Sequence, residues 1–212
     1  MNFSEFFKTI EKNRYYVFSF EDLTLFFPDE SRSNLKKMLY RWKNKGWLHP
    51  LKRGLYEIAY PGDFAIPDLF IANALYKPSY ISLETALSNF SIIPEVSMAV
   101  TSITTKPTRR FKNRHGLFVY RTVNPRAFAG YHVAKHGEFD VLMADPEKAV
   151  IDYLYFKLYR RRTRKAHFTM REKIDLEEER FDLDLLSKLD RVKLKSYAGL
   201  YELDLRGFYA QL

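Results

Sequence analysis

Between residues 31 and 56 the chain carries eight lysines and arginines and no acid. Cations at that density without counter-charges suit a polyanion. The chemistry they offer is phosphate neutralisation and hydrogen bonding to base edges rather than bond making. Leu35, Met38, Leu39 and Trp42 recur at i, i+3, i+4 and i+7, one apolar stripe of a helix, and Arg32, Ser33, Lys36, Lys37, Tyr40 and Lys43 lie off it. Ser31 is placed to cap that helix and Gly46 to end it. The segment Trp47-Leu48-His49-Pro50, the tight Lys52-Arg53-Gly54 and then Leu55-Tyr56-Glu57-Ile58 predict a short hairpin with two cations at its tip. A basic helix followed by a basic hairpin is how a winged helix-turn-helix meets DNA. Arg32, Ser33, Lys36 and Lys37 occupy the first turns, the part that enters the major groove, with Arg32 and Ser33 as base readers and Tyr40 completing the set. Lys43, Lys52 and Arg53 are expected on phosphates. The competing reading is a solvated basic helix in a packing domain.

The elements that must position this helix precede it. The first thirty residues hold six acids and three bases, so the positive charge begins with the basic helix itself. Phe3, Phe6, Phe7 and Ile10 predict a helix stopped near Asn13. Ser19 followed by Glu21 and Asp22 starts a second, broken by Pro28. Three helices and a hairpin make a winged helix-turn-helix domain over residues 1–60, and the stretch from Tyr60 to Pro67 reads as a linker. Residues 61–212 are expected to form a mixed α/β domain, which makes the whole chain α+β.

In that second domain a helix is expected over 68–76 with Pro67 at its first position, and another from Ser79 to Leu87 capped by Ser82. Strands are expected over 97–105 and 116–123, with a hairpin pairing 131–134 and 139–143 across His136-Gly137. Asp145 should cap a helix running through Leu158. Leu183, Leu185, Leu186 and Leu189 suggest one more helix, and 197–209 packs back as helix or turn.

Residues 96–137 hold eight lysines and arginines and again no acid. Lys106, Arg109, Arg110, Lys112 and Arg114 form a second basic surface. It is open to two readings: a second nucleic-acid-facing or partner-facing surface, or a hairpin edge that charge keeps from pairing with another chain. The run 160–165 is the densest in cations, and as a helix end it suits the helix dipole.

The chain has 212 residues, a formal charge of +9 and no cysteine, which removes disulfides and thiolate zinc sites and suits a reducing cytoplasm. No signal-peptide layout or membrane-length apolar run is present, so a soluble cytoplasmic protein is expected. Enzymatic chemistry finds little purchase. Asp145-x-Glu147-Lys148 is similar to a nuclease metal cluster, but such sites array their carboxylates on strands and this one begins a helix. His132 and His136 share an i, i+4 spacing on a predicted hairpin without a neighbouring cysteine. No Gly-rich phosphate loop occurs. We therefore expect no catalytic residue, no metal and no cofactor.

Several ordered blocks carry a family resemblance. They are Tyr80-Ile81-Ser82-Leu83-Glu84-Thr85-Ala86-Leu87, Ile93-Pro94-Glu95, the run 101–111, Gly116-Leu117-Phe118-Val119-Tyr120-Arg121, Phe128-Ala129-Gly130-Tyr131, and 144–154 with its Asp145-Pro146-Glu147-Lys148 start. Together, over roughly residues 80–155, they resemble the AbiEi-type antitoxins, the transcriptional-regulator halves of type IV toxin–antitoxin and phage abortive-infection operons. The resemblance implies autorepression, with a winged helix on promoter inverted repeats of double-stranded DNA, two copies on the DNA, and a second domain that counters a nucleotidyltransferase-like toxin without necessarily binding it. The C-terminal third has no matching block, which leaves the run 160–165 without a family role. Two alternatives stay open: an interaction module that docks an acidic protein, and an orphan regulator without a toxin.

Overall fold

A computed structural model describes residues 2–60, 65–95, 97–160 and 175–212, with Tyr159 and Arg160 described as backbone only. The chain is mixed α and β. Helix α1 (Phe3–Lys12) starts in a capping box, Asn2 accepting from the Glu5 amide while Glu5 reaches back, and buries Phe6 and Ile10. A three-residue strand β1 (Val17–Ser19), which the sequence pattern does not signal, leads into α2 (Phe20–Phe26), where Ser19 and Asp22 form the second capping box. Helix α3 (Arg32–Asn44) follows with Ser31 as its cap, 3.2 Å from the Asn34 amide.

The end of α3 is set by Gly46 at φ 71°. The Trp47 amide bonds the Trp42 carbonyl and the Gly46 amide that of Lys43, the paired reverse bonds of a left-handed helix stop. Strands β2 (Leu48–Lys52) and β3 (Leu55–Ile58) form the expected hairpin, and β1 adds to the far side of β3, giving the antiparallel order β1-β3-β2. Phe6, Phe18, Leu35, Met38, Trp42 and Leu48 are all buried between these helices and this sheet. Phe3 lies 5.2 Å from Trp42 and 4.4 Å from Trp47, closing the core beside the helix stop.

The rest of the chain is built on a six-stranded sheet of order β6-β7-β5-β4-β9-β8. Its strands are β4 (Ser79–Ile81), β5 (Ala99–Thr104), β6 (Arg109–Asn113), β7 (Gly116–Thr122), β8 (Tyr131–His136) and β9 (Phe139–Ala144). Helix α4 (Asp68–Leu75) covers one face: the Tyr120 hydroxyl bonds the Ala72 carbonyl and Phe139 packs on Phe70. Helices α5 (Leu83–Asn89) and α6 (Pro146–Arg160) cover the other, meeting Thr101 and Tyr80. Short helices α7 (Leu183–Ser187), α8 (Arg191–Gly199) and α9 (Arg206–Tyr209) complete the chain, with α8 packed on α6. Among the described residues no helix is long and apolar enough to cross a membrane.

Several local expectations need correction. Residues 79–81 are strand rather than helix, because Ser79, Tyr80 and Ile81 pair with Thr104, Ile103 and Ser102 of β5. Pro67 stands at the cap of α4, one position earlier than expected. Ser82 precedes α5, but its hydroxyl makes no cap bond and instead donates to Asp152 at 2.7 Å. The expected domain boundary at 60/61 abuts residues 61–64, outside the described residues, as is the run 160–165 apart from the backbone of Arg160. The two regions touch: Tyr16 packs on Phe139, and the buried Glu57 of β3 bonds His115 at 2.7 Å and Arg114 at 3.4 Å.

Candidate nucleic-acid interface

With Leu35, Met38, Leu39 and Trp42 buried, α3 turns its opposite face to solvent. Ser33, Lys36, Lys37, Tyr40 and Asn44, at i, i+3, i+4, i+7 and i+11, run along the middle of that face and all are exposed, Tyr40 at 65%. Among the described residues no ring contact or hydrogen bond engages the Tyr40 side chain. Arg32 and Lys43 lie on one flank, where the Arg32 guanidinium sits 4.8 Å and the Lys36 ammonium 5.7 Å over the Phe20 ring of α2. Arg41 and Lys45 lie on the other flank, Lys45 4.5 Å over Trp47. Among the described residues none of these cations forms an ion pair with an acid, so the face is left positive. Arg41 and Asn44 belong to the exposed face and were missed in the sequence reading, although the helical period alone would have placed them.

The hairpin tip divides its two cations. Arg53 is exposed, next to Gly54 at φ 79°. Nothing lies within 4 Å of a Cβ there, so glycine answers a backbone requirement rather than a spatial one. Lys52 is half-buried and its ammonium donates to the Leu75 carbonyl at the end of α4, 5.5 Å over the Phe111 ring. Burial pushes the Lys52 ammonium below its ordinary pKa, and the charges of Lys106 and Arg109 push it further. Lys52 is thereby an anchor of the hairpin, its ammonium engaged by the Leu75 carbonyl.

The second basic surface also divides. Lys106, Arg109, Arg110 and Lys112 are exposed at or near the edge strand β6 and have no acid partner among the described residues. Arg114 is drawn instead to Glu57. Strand alternation sends Arg109 and Phe111 to the α4 face and Arg110 and Lys112 to the other. His132 bonds Asp145 at 2.8 Å, and Asp145 also accepts from Tyr197 at 2.7 Å and Lys193 at 3.3 Å. The Asp145 carboxylate therefore ties β8 and α8 to the start of α6.

One polar cluster has no counterpart in the sequence reading. Lys148 and Asp152, one turn apart on α6, are both 0% exposed and paired. Asp152 also accepts from Tyr80 at 3.0 Å, from Ser82 and from Tyr201, while Lys148 reaches the Tyr80 and Tyr201 hydroxyls at 3.0 Å. Burial lowers the Lys148 pKa against the pull of Asp152, and burial followed by the Asp152 charge raises both tyrosines, which stay protonated donors. With both charged side chains closed to solvent, the cluster joins sheet, α6 and the C-terminal segment. Tyr80 and Ser82 come from one sequence block and Lys148 and Asp152 from another, about seventy residues away. The charge pair at i, i+4 inside Ala149, Val150, Ile151, Tyr153 and Leu154 was the available signal. No protein-family model matches the chain, and no curated protein is similar to it at a significant level.

Proposed function

We propose that the chain is a DNA-binding transcriptional regulator of the antitoxin type, with residues 2–60 acting as a winged helix-turn-helix. The observation that carries this reading is the outward face of α3, five adjacent polar or aromatic side chains flanked by cations with no acid between them. The order α1, β1, α2, α3, β2, β3, with β1 paired to β3 outside the hairpin, supports it, since that is the chain order of a winged helix. Ser33, Lys36, Lys37 and Tyr40 read base edges in the major groove, where lysine suits guanine acceptors and an apolar ring suits a thymine methyl. Arg32, Lys43 and Arg53 hold the backbone on either side. We read Arg32 as a flank contact rather than the base reader expected of it, on the ground that it lies at the edge of the α3 face beside Phe20.

Operator binding would block transcription sterically, with two copies on an inverted repeat whose half-sites lie about one helical turn, roughly 34–36 Å, or a multiple apart. The sequence blocks that resemble AbiEi-type antitoxins add the context: repression of its own operon and relief of a nucleotidyltransferase-like toxin encoded beside it.

Fluorescence anisotropy with the duplex immediately upstream of the reading frame tests the DNA reading. Tight binding is expected, at least about 10³-fold over random duplex and falling steeply with salt. Lys37→Ala with Tyr40→Ala should collapse that ratio. No binding to either duplex at low salt would overturn the assignment, and a toxin gene neutralised in co-expression by the α3 variant as well as by the parent would separate antitoxin action from repression.

A further inference from the structure

We propose that Lys106 and Arg109, beside the hairpin tip, form a second contact with the phosphate backbone of the same duplex that α3 reads. This rests on the DNA-binding reading above. Strand β6 runs alongside β2, where Asn113 donates to the Leu51 carbonyl at 3.3 Å and Lys52 lies over Phe111. That contact sets the hairpin directly beside β6 of the larger sheet. Lys106 lies 5.6 Å and Arg109 5.8 Å over the Tyr76 ring, and Arg109 lies 6.0 Å over Phe111. Three cations therefore share two rings, and Arg53 follows at the tip.

The rings matter because they hold the charges in place. Tyr76 is itself fixed, its hydroxyl donating to the Pro107 carbonyl at 3.1 Å. Some cations near the surface do have an acid partner: Arg114 lies on Glu57, Lys135 on Asp140 and Arg180 on Glu95. Lys106, Arg109 and Arg53 have no such partner among the described residues, and burial first, then the Lys106 and Arg109 charges, push the Lys52 ammonium below its ordinary pKa. Like charges held together on aromatic supports repel one another until an anion arrives. A run of phosphodiesters leading away from the half-site offers one charge per position along the strand.

The test uses the full chain and the upstream duplex, with log Kd followed against log salt for the parent, for Lys106→Ala with Arg109→Ala, and for Lys37→Ala with Tyr40→Ala. Loss of two phosphate contacts should lower the slope by about 1.8, at about 0.9 per contact. It should weaken operator and random duplex alike, leaving their ratio unchanged, whereas the α3 variant loses the ratio. A patch variant with the slope and affinity of the parent overturns the proposal, and that is the result expected if the patch serves an acidic protein. A parent chain that binds no duplex overturns the underlying DNA reading as well. The two failures are thus told apart by the parent alone, and circular dichroism of the exposed-residue variants checks that each is folded.

Discussion

Helices α3 and α6 both carry lysines in their first turns, and they put them to opposite use. On α3, Lys36 and Lys37 stand on the exposed stripe and pair with no acid among the described residues, while on α6 Lys148 is fully enclosed and its charge is met by Asp152, Tyr80 and Tyr201. A buried cation must bring its partner from the same chain, since leaving it unpaired is costly. An exposed cation can leave its partner to another molecule. The difference separates charges that hold this fold from charges available to a ligand.

The sharpest way to break that contrast is Asp152→Ala. It leaves the Lys148 ammonium and three hydroxyls without their acceptor, so a stability loss of about 3–5 kcal/mol in urea unfolding is expected. Lys37→Ala should stay within about 0.5 kcal/mol of the parent. Adding Lys148→Met to an Asp152→Leu background should recover part of the loss but not all, because Tyr80, Ser82 and Tyr201 still lack an acceptor. Equal stability of Asp152→Ala and the parent would mean that the cluster does not hold the second region together.

The same contrast explains what was legible in the sequence. The outward face of α3 was readable because helical period, the Ser31 cap and the Gly46 stop are all local. Tyr80, Ser82 and Tyr201 meet Asp152 across 72, 70 and 49 positions, and nothing near any of them records the meeting. Ser82 is the instructive miss: it stands where a helix cap belongs, but the stronger claim on its hydroxyl comes from a distant carboxylate. Strands β1 and β4, three residues each, are too short for alternation to signal, and charged β6 is strand because β7 pairs with it. Around Lys52 the local sequence shows only a cation at a hairpin tip, because its acceptor, the Leu75 carbonyl, lies 23 positions on.

Asp145 stands between the two extremes, partly open and bonded by three groups, and pH can sharpen its place. Burial alone would raise its pKa, but the hydrogen bonds from Tyr197, His132 and Lys193 and the Lys193 charge outweigh it and hold the carboxyl below its ordinary range. A folded value below the unfolded one means that these bonds stabilise the fold above about pH 3.9 and lose that effect as pH falls through the folded value. Asp145→Asn should therefore cost about 1–3 kcal/mol at pH 7, with the gap to the parent closing as the acid limb is descended. Chemical unfolding at neutral pH and near pH 3 measures it. A gap that is constant across that range would show the carboxylate charge to be irrelevant to the α6–α8 junction.

The smallest effect probes the flank of α3 rather than its centre. Phe20 lies under both Arg32 and Lys36, and an exposed cation–π contact is worth about 0.5–1 kcal/mol, so Phe20→Leu should weaken DNA binding by only about two- to fivefold. Leucine keeps most of the apolar volume beside α3, and the stability change should stay below about 1.5 kcal/mol. What decides between roles for Arg32 is the pattern of the loss in a Lys36→Ala background, where the other cation over the ring is gone. If the ring holds Arg32 against the backbone, operator and random duplex weaken together, because phosphates are the same in both. If Arg32 reads a base, the loosened guanidinium loses operator affinity alone and the specificity ratio falls. In that case the flank would have to be redrawn as part of the reading face, with Phe20 as its support.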